Sequence, residues 1–100
     1  MLNLVKKQEG DALRVALEGL LDTNTAPEFQ NEIEPLLGGV SRLTLDLEKL
    51  DYVSSAGLRV LLLFEQEQEQ KGGSMELCHV NDIIRDVFDV TGFLDILTIL

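Results

Sequence analysis

The 100-residue chain has few of the side chains on which catalytic and metal sites depend. Its one cysteine and one histidine, Cys78 and His79, are neighbours in an apolar stretch that predicts a strand. Strand neighbours point to opposite faces, so we expect no metal site, because metal ligands must cluster. The sequence also lacks a recognisable serine triad and a Gly-x-x-x-x-Gly-Lys phosphate loop. It therefore predicts a protein that is not an enzyme and takes no metal or other cofactor.

Long apolar runs and basic residues are scarce as well. The longest apolar run, Val60 to Phe64, is too short to span a bilayer, and the N-terminus has no signal-peptide pattern. Eight basic residues against 18 acidic ones give a net charge of −10, which disfavours nucleic acid and anionic membranes. A lone cysteine cannot form an intramolecular disulfide. We expect a cytoplasmic protein with no membrane insertion and no nucleic-acid partner.

The hydrophobic pattern predicts one α/β domain over residues 1–100. Alternation over 2–8 and 12–18 predicts an antiparallel strand pair, and further strands are expected around 43–47 and 75–80. Helical spacing predicts helices near 25–37, 55–71 and 81–91, and the C-terminal residues are expected to add a short fifth strand. The order of elements implies a mixed four- to five-stranded sheet with helices packed mainly on one side.

The second predicted helix ends in a polar run, Glu65 to Lys71, that contains no apolar residue. Glutamates near a helix C-terminus oppose the helix dipole, so we expect this half to be exposed and frayed. A solvated helix end is the simplest interpretation, and an acidic stripe for a partner is the alternative. The apolar faces elsewhere account for one core, which predicts a monomer.

The same helix opens with two hydroxyls, Ser54 and Ser55. A serine at this place can cap the free backbone N–H groups. It can also accept a phosphate, which those N–H groups and the helix dipole would hold. The residues alone leave both roles open.

Three segments resemble the STAS domain, the fold of bacterial anti-sigma factor antagonists. The central one is an apolar pair followed by a hydroxyl-rich helix start, Tyr52-Val53-Ser54-Ser55-Ala56-Gly57-Leu58. The others are Glu18-Gly19-Leu20-Leu21-Asp22-Thr23-Asn24-Thr25-Ala26, before the first helix, and Val87-Phe88-Asp89-Val90-Thr91-Gly92-Phe93, at the last one. They occur in the family's order over nearly the whole chain.

The resemblance implies a partner-switching function. The unphosphorylated form would bind an anti-sigma factor that is also a serine kinase and so release a sigma factor. Phosphorylation at Ser55, with Ser54 as the alternative acceptor, would switch binding off, and a metal-dependent serine phosphatase would reset the cycle. Ser54 stands where many relatives carry Asp. The residues implied in partner contact are Asp22, Thr23, Ser54, Ser55, Ala56 and Gly57.

The departure at Ser54 keeps a second hypothesis open. The chain could be a STAS subunit of a transport or lipid-trafficking assembly that works through constitutive contacts. In that case Ser55→Asp would leave partner binding intact.

Overall fold

The computed structural model describes all 100 residues, which form six strands and three α-helices. The strands are β1 (Leu2–Glu9), β2 (Ala12–Leu21), β3 (Arg42–Asp46), β4 (Leu50–Val53), β5 (Ser74–Cys78) and β6 (Thr98–Ile99). The helices are α1 (Ala26–Ile33), α2 (Ser55–Gln70) and α3 (Asp82–Thr91), with 3-10 turns at Glu34–Gly39 and Phe93–Asp95. None of the helices has the length and apolarity needed to cross a membrane.

The strands form one mixed sheet in the order β1-β2-β3-β5-β6, with β4 also paired to β2. Only β1 and β2 are antiparallel, and the other pairs are parallel. The first half of β2 pairs with β3, and its last three residues pair with β4, with a register shift between Gly19 and Leu20. The predicted α/β class is confirmed, while the sheet has six strands rather than four or five. The strand missed is β4, because its four residues are too few to show a period.

The two faces of the sheet differ sharply in burial. Alternate residues of β2, β3 and β5 are buried beneath the helices, and each helix contributes one fully buried phenylalanine, Phe29, Phe64 or Phe88. Phe29 and Phe64 meet edge to face, with their ring centroids 5.2 Å apart. The strand residues that alternate with the buried ones, such as Arg14, Arg42 and Glu76, lie on the opposite, accessible face of the sheet. The helices therefore cover one face of the sheet, as predicted.

Two helix ends depart from simple periodicity. The first helix is α-helical only to Ile33 and continues as a 3-10 turn that contains Pro35, which cannot donate the helical hydrogen bond. The expectation of an exposed end for α2 is wrong at Gln68, whose side chain is 0% exposed. Gln68 follows Phe64 by one turn on the same face, and its Nε2 donates to the Ser74 carbonyl at 3.0 Å.

Candidate functional site

The start of α2 is fixed to the end of β2 through the backbone. The N–H of Ser54 donates to the carbonyl of Leu21 at 2.8 Å, directly after β4 has paired alongside β2. Gly57 lies against the same residue, and a Cβ at position 57 would sit 2.7 Å from Leu21 Cγ. The glycine is therefore needed for close approach. This contact brings the segment after Leu21 next to the serine pair.

The two serines have different surroundings. Ser54 is the N-cap residue in an extended conformation, and its Oγ accepts the backbone N–H of Gly57 at 3.2 Å. Ser55 is the first residue of α2, is exposed, and its hydroxyl takes part in none of the side-chain hydrogen bonds. The capping role that the sequence allowed to either serine therefore belongs to Ser54. Ser55 is left with a free hydroxyl at a helix N-terminus.

The role of Ser54 also accounts for the residue type at this position. Asp and Ser are about equally good N-caps, because each offers a side-chain oxygen to the free N–H groups. A serine here can therefore do the structural work of the aspartate that the resemblance leads one to expect.

Asp22 organises the neighbouring loop. Its Oδ1 accepts the backbone N–H groups of Asn24 and Thr25, each at 2.9 Å. The hydrogen bond from the Thr25 backbone is the main cause that lowers the pKa of Asp22, desolvation opposes it, and Asn24 adds to the lowering. Thr25 Oγ1 donates to the Leu20 carbonyl at 2.8 Å and does not cap α1, although Thr25 is its N-cap residue. Thr23 is exposed at the tip of this turn.

The six predicted contact residues thus come from two segments that meet at Leu21. Asp22, Thr23 and Ser55 are accessible to different degrees, whereas Gly57 is buried and acts through packing. Sequence reasoning missed the exposed apolar pair beside them, Leu20 and Tyr52, which are register partners between β2 and β4. Their pairing could not be inferred while β4 itself was not predicted.

The expectation that Cys78 and His79 lie on opposite faces is wrong. His79 has a left-handed backbone, with φ of 55°, and this ends the strand alternation after Cys78. One ligand-capable atom from each of Asp46, Cys78 and His79 lies within 4.8 Å of the other two. The sequence carries no signal for this turn, since histidine adopts a positive φ only occasionally.

The fold and the site define a class of small α/β domain with helices on one sheet face and an accessible hydroxyl where a helix begins. The STAS domain family model matches residues 3–100. The chain therefore belongs to the STAS domain family.

Two relatives and two solved structures are similar to this chain. The chain is 39% identical over 88 residues to BtrV of Bordetella bronchiseptica, provisionally named an anti-sigma factor antagonist, covering 86% of this chain and 76% of that one. It is 29% identical over 98 residues to the anti-sigma-B factor antagonist of Bacillus subtilis, covering 98% of this chain and 90% of that one. Unphosphorylated SpoIIAA, an anti-sigma factor antagonist, has the same fold, with a TM-score of 0.77 at 20% identity over 100% of this chain and 87% of that one. The phosphorylated form of SpoIIAA from Bacillus gives a TM-score of 0.76 at 20% identity over 100% and 91%.

Proposed function

We propose that this chain is an anti-sigma factor antagonist whose binding is switched off by phosphorylation of Ser55. Its unphosphorylated form binds an anti-sigma factor that is also a serine kinase, so that a sigma factor is released. A separate serine phosphatase removes the phosphate. The chain itself contributes a binding surface and a phosphate acceptor, and no catalysis, in the bacterial cytoplasm. The names of the two relatives support the class of protein, and the site supports the mechanism.

The proposal rests on the different surroundings of the two serine hydroxyls. Ser54 Oγ is engaged by the Gly57 N–H, whereas the Ser55 hydroxyl is exposed and free for phosphoryl transfer. A phosphate on the first helical residue lies near free N–H groups and the positive end of the dipole. That interaction contributes roughly 0.3–1 kcal/mol, so the modified chain should stay folded.

Phosphorylation acts on the complex instead. A phosphate brings about −1.5 to −2 charges and three strong acceptor oxygens to a surface that already holds Asp22. A partner docked over Asp22, Thr23 and Ser54–Gly57 would have to desolvate that charge and make room for it. A loss of about 4 kcal/mol lowers affinity roughly a thousandfold, which is enough to dissociate a complex.

The acceptor assignment is tested by mass spectrometry of the chain after incubation with ATP and the anti-sigma factor kinase of the same organism. We expect one phosphoryl group on the wild type and on Ser54→Ala, and none on Ser55→Ala. Ser54→Ala is the matched control, since it removes the adjacent hydroxyl. Phosphate on Ser54 alone, or on neither serine, would contradict the assignment.

A further inference from the structure

A second group of chemically capable side chains lies away from Ser55, on the sheet face that the helices leave uncovered. Asp46 ends β3 and Cys78 ends β5, and the two are register partners in the parallel ladder. His79 follows Cys78 immediately. The backbone N–H of Leu47 donates to the carbonyl of Cys78 at 3.0 Å, so both strand ends are held together where the cluster forms.

The left-handed backbone of His79 turns its imidazole toward Asp46. His79 Nδ1 lies 3.1 Å from Asp46 Oδ1. A strand continued through His79 would have pointed this ring to the other face. The three side chains bring together a thiol, an imidazole and a carboxylate within 4.8 Å.

We propose that Asp46, Cys78 and His79 form a binding site for a divalent cation of the zinc type. Sulfur, nitrogen and carboxylate oxygen are the ligand atoms that Zn²⁺ takes, at about 2.0–2.3 Å. Tetrahedral bonds of that length place ligand atoms roughly 3.3–3.6 Å from each other. His79 Nδ1 and Asp46 Oδ1, at 3.1 Å, would move slightly apart, and the longer separations, of up to 4.8 Å, would close by about 1 Å. Three protein ligands leave the fourth position for a water molecule.

The surroundings of the cluster combine a fixed carboxylate with an open approach. The Asp46 carboxylate is held by three groups: the Glu48 backbone N–H and His79 Nδ1 each lie 3.1 Å from Oδ1, and Arg14 Nη2 lies 2.9 Å from Oδ2. The side chain of Asp46 is 17% exposed and that of His79 is 55% exposed, which gives a sheltered carboxylate beside an open approach.

Arg14 occupies the other side of the cluster. Its Nη2 donates to Asp46 Oδ2 at 2.9 Å and lies 3.4 Å from Cys78 Sγ. A cation bound at Asp46 Oδ1 leaves Oδ2 on Arg14, and outer hydrogen bonds of this kind orient ligating carboxylates. The guanidinium must yield the sulfur to the incoming ion, and its positive charge opposes cation binding.

The site is tested on the reduced full chain by titration with Zn²⁺ in a calorimeter and with Co²⁺ in a spectrophotometer. We expect one metal ion per chain and a thiolate-to-cobalt charge-transfer band. Cys78→Ser should abolish the band, and His79→Asn should weaken Zn²⁺ binding more than about a hundredfold, since loss of an outer partner alone costs roughly 10–100-fold. Asparagine is chosen because it tolerates the left-handed backbone.

Glu69→Gln is the matched control, because it removes an exposed carboxylate on α2 and should bind Zn²⁺ like the wild type. Circular dichroism of each variant before titration establishes that it is folded. If the buried Cys78→Ser variant does not fold, His79→Asn decides alone, because its side chain is largely exposed. The proposal is overturned if the wild type shows no charge-transfer band, or if His79→Asn binds Zn²⁺ as tightly as the wild type.

Discussion

At the scale of single residues, Ser54 caps α2, and the adjacent Ser55 is the proposed phosphate acceptor. Ser54 satisfies a helix N–H with its side chain, and Ser55 does not. The two positions are adjacent and carry the same residue type. They therefore provide a direct comparison of what each hydroxyl contributes to the folded chain.

Ser54→Ala should lower the free energy of unfolding by about 1 kcal/mol, because it removes an N-cap acceptor. Ser55→Ala should change it by less than about 0.5 kcal/mol, as is usual for an exposed side chain without partners. Urea denaturation of both variants measures the difference. Equal losses at the two positions would mean that the cap is shared or misassigned.

Asp22 predicts a dependence of stability on pH. Its folded pKa is below the ordinary value of 3.8, so its contribution is present above that pH and is lost as the pH falls through the folded pKa. The melting temperature of Asp22→Ala should therefore lie furthest below that of the wild type near neutral pH, and the gap should narrow below about pH 4. Thermal scans between neutral and acidic pH measure this gap. A gap that is constant or widens in acid would contradict the proposed hydrogen bonding of the ionised carboxylate.

Sequence reasoning at this scale pointed to the serine pair but did not distinguish the capping hydroxyl from the free one. A capping role depends on the backbone angles of one residue, here the extended Ser54, and composition does not set those angles. The cluster at Asp46, Cys78 and His79 was missed for the same reason. The positive φ of His79 reverses a face assignment that strand alternation would otherwise make.

At the scale of elements, the contact between α2 and the end of β2 sets the site. Leu21 accepts the Ser54 N–H through its carbonyl and packs against Gly57 through its side chain. The segment after β2 and the start of α2 therefore keep a fixed relation to each other. A disturbance of this contact should reach both halves of the proposed binding surface.

Gly57→Ala should destabilise the chain by about 1–3 kcal/mol, since its Cβ would overlap Leu21. Gly38→Ala is the matched control, because no atom lies within 4 Å of its added Cβ, and it should be neutral or stabilising by up to about 1 kcal/mol. Denaturant unfolding compares the two. A neutral Gly57→Ala would show that the helix start can move away from Leu21.

The C-terminal half of α2 provides another comparison within one helix. Gln68→Glu places a carboxylate where the side chain is 0% exposed and should cost more than about 2 kcal/mol. Gln66→Glu makes the same chemical change on the exposed face and should cost less than about 0.5 kcal/mol. Chemical denaturation at neutral pH measures both, and equal costs would place Gln68 outside the core.

Most strands and helices could be predicted from the pattern of apolar residues. Alternation located β1, β2, β3 and β5, and helical spacing located the three helices. The same approach failed at β4, because β4 is held by pairing with β2, which is distant in the sequence. It also failed at Gln68, a polar residue that is buried because its amide reaches the Ser74 carbonyl. Local pattern cannot reveal a partner that is distant in the chain.

At the scale of the whole molecule, the helices cover one face of a single sheet, and Ser55 is exposed where one of these helices begins. The net charge of −10 favours a partner with a basic docking surface and makes association sensitive to salt. The monomeric state expected from the sequence stays a prediction, which sedimentation equilibrium would test.

The switch proposed for this chain is the loss of partner binding when Ser55 carries a phosphate. Its most direct test is the dissociation constant of the complex with the anti-sigma factor kinase, measured for the unphosphorylated chain and for the chain phosphorylated at Ser55. We predict tight binding of the first and an affinity roughly a thousandfold lower for the second, with Ser55→Asp also weakened. Dissociation constants that agree within about threefold would contradict the switch and favour a STAS subunit with constitutive contacts.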